Sequence, residues 1–231
     1  MPRPPSALDP KLIAGEVRVQ VEAALASLKA LSLTPEFLDR ITKFAETLAL
    51  WGARTNLTAH PDDPVEIAFH VLDSLMPIVL GSLADAFNKA ARVLDVGSGA
   101  GFPGLVLASA SEAHFVLVEA RRKRASFLQS AIVEMGLSNV TVAQKRLAPA
   151  DLNQEFDIAV TRALGPAADF YAISAAALTK NGIAILYASQ NQQLALNAAH
   201  SAGLGGESRI PYEVRRGPSL VSRTLIVFQK L

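Results

Sequence analysis

Apolar residues recur at helical spacing through the first 85 residues of the chain. An alanine-rich amphipathic pattern from Pro10 to about Leu31 predicts one helix. Thr34-Pro35 then marks a second start, because threonine is typical of a helix N-cap and proline of the first helical position. Asp63-Pro64 repeats that signal for a helix that is predicted to run to about Leu75, before Pro77. Residues 1–85 are therefore predicted to form a helical N-terminal cap.

Short apolar runs alternate with helical patterns over residues 86–231. Helices are predicted from Arg121 to Gly136 and from Gly165-Pro166 to about Leu178. The predicted strands are residues 92–94, 114–118, 140–143, 156–160, 183–187, 213–215 and 224–228. This alternation predicts an α/β fold, with a doubly wound, mostly parallel Rossmann-like sheet that ends in an antiparallel C-terminal strand pair.

Composition narrows the class of protein. Half of the 231 residues are hydrophobic, which is enough for one large core, and no cysteine is present. The longest apolar stretch is interrupted by Lys180-Asn181-Gly182, and the first residues lack the apolar core of a secretory signal. We therefore expect a cytoplasmic protein without a membrane partner. The net charge of +1 neither requires nor excludes a polyanionic ligand.

A glycine-rich segment between a predicted strand and a predicted helix is the strongest chemical signal. Its glycines fit two spacings: Gly99-x-Gly101-x-x-Gly104, typical of dinucleotide enzymes, and Asp95-x-Gly97-x-Gly99-x-Gly101, typical of S-adenosylmethionine (AdoMet) methyltransferases. The carboxylate of Asp95 would repel a pyrophosphate at this place, whereas it would attract the ammonium and sulfonium groups of AdoMet. The segment therefore favours AdoMet over NAD.

Two further residues follow predicted strands, where doubly wound enzymes bind their ligands. Glu119 ends the second strand of the sheet domain and is placed to accept hydrogen bonds from a ribose, a feature that NAD enzymes share. Arg162 follows the strand that ends near Thr161, so we expect it at the substrate edge of the sheet. An exposed, salt-bridged arginine is the alternative for Arg162.

A basic run opens the helix after Glu119. Positive charge at a helix N-terminus opposes the helix dipole, so local stability does not explain it. A polyanion such as RNA would explain it, and a solvated charged surface is the alternative. The candidate RNA contacts of this kind are Arg121, Arg122, Lys123, Arg124 and, near the C-terminus, Arg223.

These features occur together with other motifs in one order along the chain. They are Trp51, Asn56-Leu57-Thr58, His70-x-x-Asp73-Ser74-Leu75, the segment Asp95–Gly104, Lys123-Arg124-x-x-Phe127-Leu128 and Thr161-Arg162-Ala163. In these motifs, over about residues 35–231, the chain resembles the bacterial RsmG family, also called GidB. That family uses AdoMet to methylate N7 of a guanine in the 530 loop of 16S rRNA.

The resemblance implies roles for individual residues. Gly97, Gly99 and Gly101 would let the backbone approach AdoMet, with Phe102 packed beside it and Glu119 on the ribose. The main chain of Leu147 and Ala148 would contact the adenine, and Arg162 would lie in the catalytic pocket. The implied partner is 16S rRNA, in the small subunit or an assembly intermediate, and a monomer is expected. The chain departs from the family pattern at Gly52, which replaces an asparagine, and at Ala188-Ser189, which replaces Lys-Gly.

The motifs around residues 56 and 70 leave several roles open. Glu66, His70 and Asp73 share one helix face, but they lack the distant fourth ligand that a metal site usually has, so no metal is expected. His70 and Asp73 are instead predicted to brace the N-terminal helices against the glycine turn or to line the guanine pocket. Asn56 is predicted to contact a purine edge or to cap its own turn.

The implied reaction needs no general base, because N7 of guanine carries an available lone pair. Catalysis can then rest on holding N7 in line with the methyl group and on electrostatics suited to the moving charge. Two alternatives remain at this point. One is an AdoMet methyltransferase that acts on another RNA, a protein or a small molecule, and the other is an NAD-binding oxidoreductase.

Overall fold

The computed structural model of the 231-residue chain describes residues 9–28, 34–88, 90–162, 167–190 and 196–231. Three helices precede a seven-stranded sheet that carries helices on both faces. The doubly wound α/β fold predicted from the sequence is confirmed. Within the described ranges, no helix is both long and apolar enough to cross a membrane.

The N-terminal layer consists of α1 (Pro10–Leu28), α2 (Pro35–Gly52) and α3 (Pro64–Val79). Both predicted start signals are confirmed. The Thr34 hydroxyl accepts a hydrogen bond from the Phe37 amide at 3.4 Å, and Asp63 Oδ1 accepts one from the Val65 amide at 2.9 Å. The predicted end of α1 near Leu31 lies outside the described residues.

Helix α3 does not end before Pro77, and that prediction was wrong. Pro77 lies inside the helix, which continues to Val79. A proline lacks the amide that would bond to the carbonyl of the residue four positions earlier, here Asp73. The loss is tolerated because it is one bond near the helix end, while Leu75, Met76 and Ile78 around it are all buried.

The sheet has the order β3-β2-β1-β4-β5-β7-β6. The first five of these strands pair in parallel, whereas β7 runs antiparallel to both β5 and β6. The strands are β1 (Arg92–Val96), β2 (His114–Val118), β3 (Val140–Ala143), β4 (Phe156–Arg162), β5 (Leu178–Ser189), β6 (Leu204–Arg216) and β7 (Ser219–Lys230). The helices of this part are α4 (Gly104–Ala110), α5 (Arg122–Met135), α6 (Ala167–Ala177) and α7 (Leu196–Ser201), and short 3-10 turns occupy Ala84–Phe87 and Pro149–Asp151.

Several boundaries differ from the prediction. Helix α5 ends at Gly136 as predicted, because that glycine adopts a left-handed φ of 65°. Strand β5 begins at Leu178 and passes through Asn181 and Gly182, where we expected a turn before residue 183. The C-terminal strands pair antiparallel as predicted, but they form a much longer hairpin. The predicted opening of α6 at Gly165-Pro166 lies outside the described residues.

The N-terminal helices and the sheet share one hydrophobic core. A single buried cluster runs from α1, α2 and α3 through α4 and α5 to one face of the sheet. A second cluster covers the other face, beneath α6 and α7. The predicted boundary near residue 85 therefore separates two stretches of sequence whose side chains pack together, and a division into domains at that point stays a prediction.

Parallel pairing brings the carboxyl ends of β1, β2, β4 and β5 to one edge of the sheet. Because β7 is antiparallel, Arg223 lies at that edge as well, opposite Ser189. The strand order reverses direction between β1 and β4, which is where doubly wound sheets open a crevice for ligands. Helix α3 packs against β6 and α4 beside this edge.

The Asp63 cap gives a test of the N-terminal layer. Replacing Asp63 with alanine removes the acceptor for the amides of Val65 and Glu66, which are 2.9 and 3.4 Å from Oδ1. We expect a loss of about 1 kcal/mol in the free energy of unfolding, measured by urea denaturation. Asp63→Asn keeps an acceptor oxygen and should lose much less. Equal losses for both variants would contradict the capping role.

Candidate active site

The glycine turn after β1 has the backbone conformation that its glycines predict. Gly97, Gly99 and Gly101 all have positive φ, at 76°, 54° and 85°. The turn is fixed to the neighbouring strand, because the amides of Gly97 and Ser98 both donate to the Val118 carbonyl at 3.0 Å. The turn therefore presents main chain without Cβ atoms at Gly97, Gly99 and Gly101, of which Gly97 is half-buried and the other two are buried.

Asp95 lies beneath this turn and is almost completely buried, with 1% of its surface exposed. Its Oδ2 accepts a hydrogen bond from the Gly104 amide at 3.1 Å. Its Oδ1 has no hydrogen-bond partner among the described residues. Burial raises the pKa of this carboxyl group to about 7, against the smaller opposing effects of Ser98, of the Gly104 bond and of Arg162.

Glu119 has a structural role that its sequence position did not predict. One oxygen, Oε2, accepts from the Gly99 amide at 3.1 Å, and the other accepts from the Arg121 amide at 2.7 Å. The carboxylate therefore ties the glycine turn to the start of α5. Each carboxylate oxygen can accept more than one bond, so the predicted contact with a ribose stays possible and stays a prediction.

The turn fits the cofactor that its sequence predicts. The unpartnered oxygen of Asp95 offers a buried acceptor to a cationic ligand. Gly104 allows this arrangement, because a Cβ on it would lie 2.4 Å from Asp95 Oδ2 and 2.2 Å from a methyl group of Leu117. At Gly99 the atom nearest to an added Cβ would be Arg124 Nη1, at 3.6 Å, so no clash requires a glycine there and its positive φ is the reason for it.

Phe102 forms an inner wall of the site. Its ring centroid lies 5.1 Å from that of Phe44 on α2 and 5.2 Å from that of His70 on α3. The Arg162 guanidinium carbon lies 5.1 Å from the centre of the same ring, at cation–π distance. Phe102 thus contacts two N-terminal helices and β4, and the predicted packing beside AdoMet is limited to the small part of its surface that is exposed.

Arg162 projects from the end of β4 into this group and is mostly buried. Its Nη1 donates to Asp73 Oδ2 at 3.3 Å and, more weakly, to the His70 carbonyl at 3.5 Å. Within the part of the chain that the structure describes, we find no hydrogen-bond acceptor for its Nε or Nη2. The prediction that Arg162 stands at the substrate edge of the sheet agrees with this placement, and two nitrogens are left to bind a ligand.

Asp73 is fully buried, so it does not line an open pocket. Its Oδ1 accepts a hydrogen bond from the Tyr212 hydroxyl at 2.6 Å. Arg223 donates one hydrogen bond to each carboxylate oxygen, both at 3.2 Å. Asp73 therefore ties α3 to β4, β6 and β7 and not to the glycine turn, so the predicted brace against that turn stays a prediction. Arg223 was proposed as an RNA contact, but its guanidinium is mostly buried and paired inside the protein.

His70 is held neutral by its surroundings. Burial lowers its pKa to about 3, and the nearby charges of Arg162, Arg216 and Arg223 act in the same direction. Its Nδ1 is buried without a partner among the described residues. Glu66, on the same helix, is bound by Arg216 Nε at 2.6 Å. No three His, Cys, Asp or Glu side chains in the described ranges are grouped to hold a metal ion.

The basic segment at the start of α5 lies beside the glycine turn. Arg121, Arg122 and Lys123 are exposed, as a surface for phosphates requires. Arg124 is half-buried, and its Nη2 donates to the Asn56 carbonyl at 2.9 Å. Arg124 therefore joins the Asn56 loop to this segment. The side chain of Asn56 is exposed, and its contact with a purine stays a prediction.

The predicted adenine contacts follow β3, near the same edge. Both main-chain groups of Ala148 are already used, because its amide donates to Asp151 Oδ2 at 2.9 Å and its carbonyl accepts from the Asp151 amide at 2.9 Å. Leu147 is half-buried against the second hydrophobic cluster. A main-chain contact of Ala148 with adenine would compete with these bonds, and the contacts of both residues stay predictions.

Several residues that complete the site were not predicted from sequence patterns. Tyr187 on β5 donates to the Ser74 carbonyl at 2.7 Å, and Tyr212 on β6 donates to Asp73. Each pair is separated by more than one hundred residues. Only the unusual polar pair Asp73-Ser74 on an otherwise apolar helix face could have indicated that partners were needed there.

Comparisons with known proteins agree with this geometry. A family model described as rRNA small subunit methyltransferase G matches residues 38–206. The ribosomal RNA small subunit methyltransferase G of Nitrosospira multiformis is 38% identical over 154 residues, 65% of this chain and 67% of that protein. The protein of the same name from Cupriavidus necator is 33% identical over 197 residues, 81% of this chain and 82% of that one.

A solved structure shares the fold at low identity. The tRNA (m1A58) methyltransferase TrmI from Aquifex aeolicus superposes with a TM-score of 0.55 and 18% identity. The match covers 69% of this chain and 68% of that one. At this identity the likeness concerns the fold alone.

The raised pKa of Asp95 gives a pH test. Its folded pKa of about 7 lies above the ordinary aspartate value of 3.8, so between about pH 4 and 7 the folded state keeps a proton that the unfolded state has released. The free energy of unfolding therefore falls as pH rises through that window, by at most about 1.4 kcal/mol per pH unit. Asp95→Asn keeps an acceptor for Gly104 but does not titrate. Without cofactor, its stability should fall less steeply from pH 4 to 7, and parallel urea-denaturation profiles would contradict the assignment.

Proposed function

The chain belongs to the rRNA small subunit methyltransferase G family, GidB, and we propose that it transfers a methyl group from AdoMet to N7 of a guanine in small-subunit ribosomal RNA. The observation that carries the proposal is the placement of Arg162. Its guanidinium faces Phe102 of the glycine turn, and two of its nitrogens have no acceptor among the described residues. A cofactor turn and a substrate-binding cation thus meet at one sheet edge.

The chain's own residues would hold and orient the reactants. AdoMet, when bound, supplies a methyl group on a sulfonium centre. Gly97, Gly99 and Gly101 carry no side chain that would stand between the turn and the cofactor, and the buried carboxyl group of Asp95 gives a local negative potential when ionised. N7 would form its bond to the methyl carbon with its own lone pair while the methyl–sulfur bond breaks and the sulfur leaves as a neutral thioether, so no residue has to remove a proton.

Electrostatics at the target base follow from Arg162 and His70. The free nitrogens of Arg162 can donate to a guanine oxygen or to the carboxylate of the cofactor. His70 stays neutral at physiological pH because its pKa is lowered to about 3, so it adds no positive charge against a purine that becomes cationic. Its Nδ1 is buried, so only Nε2 of the imidazole is left to contact a base edge.

The exposed basic segment supports an RNA substrate. Arg121, Arg122 and Lys123 lie at the start of α5, which Glu119 fixes to the cofactor turn. Phosphate contacts there would place an unstacked guanine at the edge of the sheet. The 530 loop of 16S rRNA, in the small subunit or an assembly intermediate, is the site that we propose.

Location and oligomeric state belong to the same proposal. Ribosomal RNA of bacteria is cytoplasmic, so we place the enzyme there. A monomer is sufficient for the reaction, because the turn, Asp73, Arg162 and the basic segment all come from one chain.

Two alternatives make different predictions. A methyltransferase for another RNA, a protein or a small molecule would bind AdoMet but leave 16S rRNA unmodified. An NAD-binding oxidoreductase would bind NAD, which the buried carboxyl group of Asp95 disfavours beside a pyrophosphate. Ribosomal RNA from cells that lack or carry the gene, mapped for 7-methylguanine, separates these possibilities.

Gly99→Val tests the cofactor turn. Valine resists a φ of 54° and places its methyl groups above the turn, so AdoMet binding should be lost. Calorimetry on the folded variant measures this. Gly15→Val is a matched control, because Gly15 is an exposed helical glycine whose Cβ would meet nothing within 4 Å. Unchanged AdoMet affinity in folded Gly99→Val would refute the assignment.

Arg162→Ala tests the reaction. Asp73 would keep Arg223 and Tyr212, so the melting temperature should fall only slightly. Methyl transfer to ribosomal substrate should fall by well over about tenfold, since a hydrogen bond from a charged group contributes about 1.5–3 kcal/mol. Arg162→Lys should recover little, because an ammonium group cannot donate as a planar fork.

Arg92→Ala is the matched control for Arg162→Ala. Arg92 also pairs with a carboxylate, Glu155 at 2.8 Å, and lies 5.2 Å from the Phe156 ring centre, but at the opposite edge of the sheet. Its replacement should leave the rate of methyl transfer within about twofold of wild type, because an exposed ion pair contributes little. Full activity of Arg162→Ala, or its unfolding, would show that the catalytic assignment is wrong.

A further inference from the structure

The carboxylate of Asp73 is saturated with hydrogen bonds. Oδ1 accepts from Tyr212 and from Arg223 Nε, and Oδ2 accepts from Arg162 Nη1 and from Arg223 Nη2. A carboxylate has about four lone-pair sites, so each oxygen is fully used. A carboxylate held from three sides in this way cannot rotate. It therefore fixes the orientation of the side chains that bind to it.

We propose that Asp73 is a positioning residue for methyl transfer, which sets the place of Arg162 and does not itself touch RNA. The inference rests on the proposed function of Arg162. Asp73 is fully buried, which excludes it as a direct contact for an RNA substrate. Asp73 instead holds one nitrogen of Arg162, Nη1, in a fixed place. The other nitrogens of Arg162 then remain available for a ligand.

Arg162 depends on this anchor because its other contacts are weak. The bond from Nη1 to the His70 carbonyl is 3.5 Å long, and the remaining contact is the 5.1 Å approach to the Phe102 ring. Neither fixes the rotation of the guanidinium about its long side chain. The ion pair with Asp73 does, because the carboxylate is itself immobile.

The C-terminal hairpin becomes part of the site through the same carboxylate. Tyr212 lies on β6 and Arg223 on β7, directly opposite each other in the hairpin. Next to Asp73, the Ser74 carbonyl accepts from Tyr187 on β5. Residues 73 and 74 of α3 are thereby bonded to four strands. Arg223 affects the position of Arg162 through the Asp73 carboxylate that both of them bind.

A double-mutant cycle tests the inference. Asp73→Asn should lower kcat for RNA methylation by about tenfold or more, because it replaces a charge-assisted bond to Arg162 with an amide. The AdoMet dissociation constant should change no more than it does in Arg162→Ala. In an Arg162→Ala background, Asp73→Asn should change kcat by less than about twofold, since the group it positions is already gone. If the kcat losses of the two single variants multiply in the double variant, the proposal is wrong.

Glu66→Gln is the matched control. Glu66 is on the same helix and its carboxylate binds a different arginine, Arg216. Its replacement should leave kcat within about twofold of wild type. If Asp73→Asn does not fold, Tyr212→Phe takes its place, because it removes one bond to Oδ1 and leaves the charge intact. We expect a smaller loss of kcat there, about two- to fivefold, which also vanishes in the Arg162→Ala background.

A measurement without RNA separates this inference from the proposed function. In ¹⁵N NMR spectra, the Nε–H signal of Arg162, assigned by its absence in Arg162→Lys, should move and broaden in Asp73→Asn or Tyr212→Phe and should remain in place in Glu66→Gln. If wild-type protein fails to methylate ribosomal substrate, the proposed function fails, and the NMR result still decides the positioning role. An unchanged Arg162 signal would overturn it.

Discussion

The buried carboxylate of Asp73 joins three parts of the chain that are far apart in sequence. Asp73 lies on α3 of the N-terminal layer. Two arginines and a tyrosine from β4, β6 and β7 donate hydrogen bonds to it. Burying such charges is costly, and it is tolerated only when every group is well paired. Here both oxygens of the acid are fully paired, whereas each arginine keeps at least one nitrogen without an acceptor among the described residues: Nη1 of Arg223, and Nε and Nη2 of Arg162. Arg162 lies at the end of β4, beside Phe102 of the glycine turn.

A second carboxylate fixes the cofactor side of the crevice. Glu119 accepts hydrogen bonds from the amides of Gly99 and Arg121, so it joins the glycine turn to the basic start of α5. Arg124 extends that unit to the Asn56 loop. The surface proposed to receive phosphates is therefore rigidly connected to the turn proposed to receive AdoMet. Rigid connection matters for an in-line transfer, whose rate depends on holding the reacting atoms in place.

The N-terminal helices act as a wall of the site as well as a cap on the core. Phe44 and His70 pack on Phe102, and the cluster that buries them continues into the sheet. The neutral state of His70 follows from the same burial. Function and stability thus share residues in this layer, because the contacts that fill the core also shape the pocket.

The sequence by itself determined the elements and the cofactor. Alternating apolar runs predicted the parallel sheet, Thr34 and Asp63 marked two helix starts, and the spacing of Gly97, Gly99 and Gly101 after Asp95 predicted the turn. Such signals are local, since hydrophobic period, capping and positive φ act over a few residues. Only the tertiary structure decided that Asp73 pairs with Arg162 and Arg223, that Glu119 ties two backbone segments, and that α3 continues through Pro77. Those outcomes depend on which distant side chains burial brings together, and no spacing within a single element encodes that.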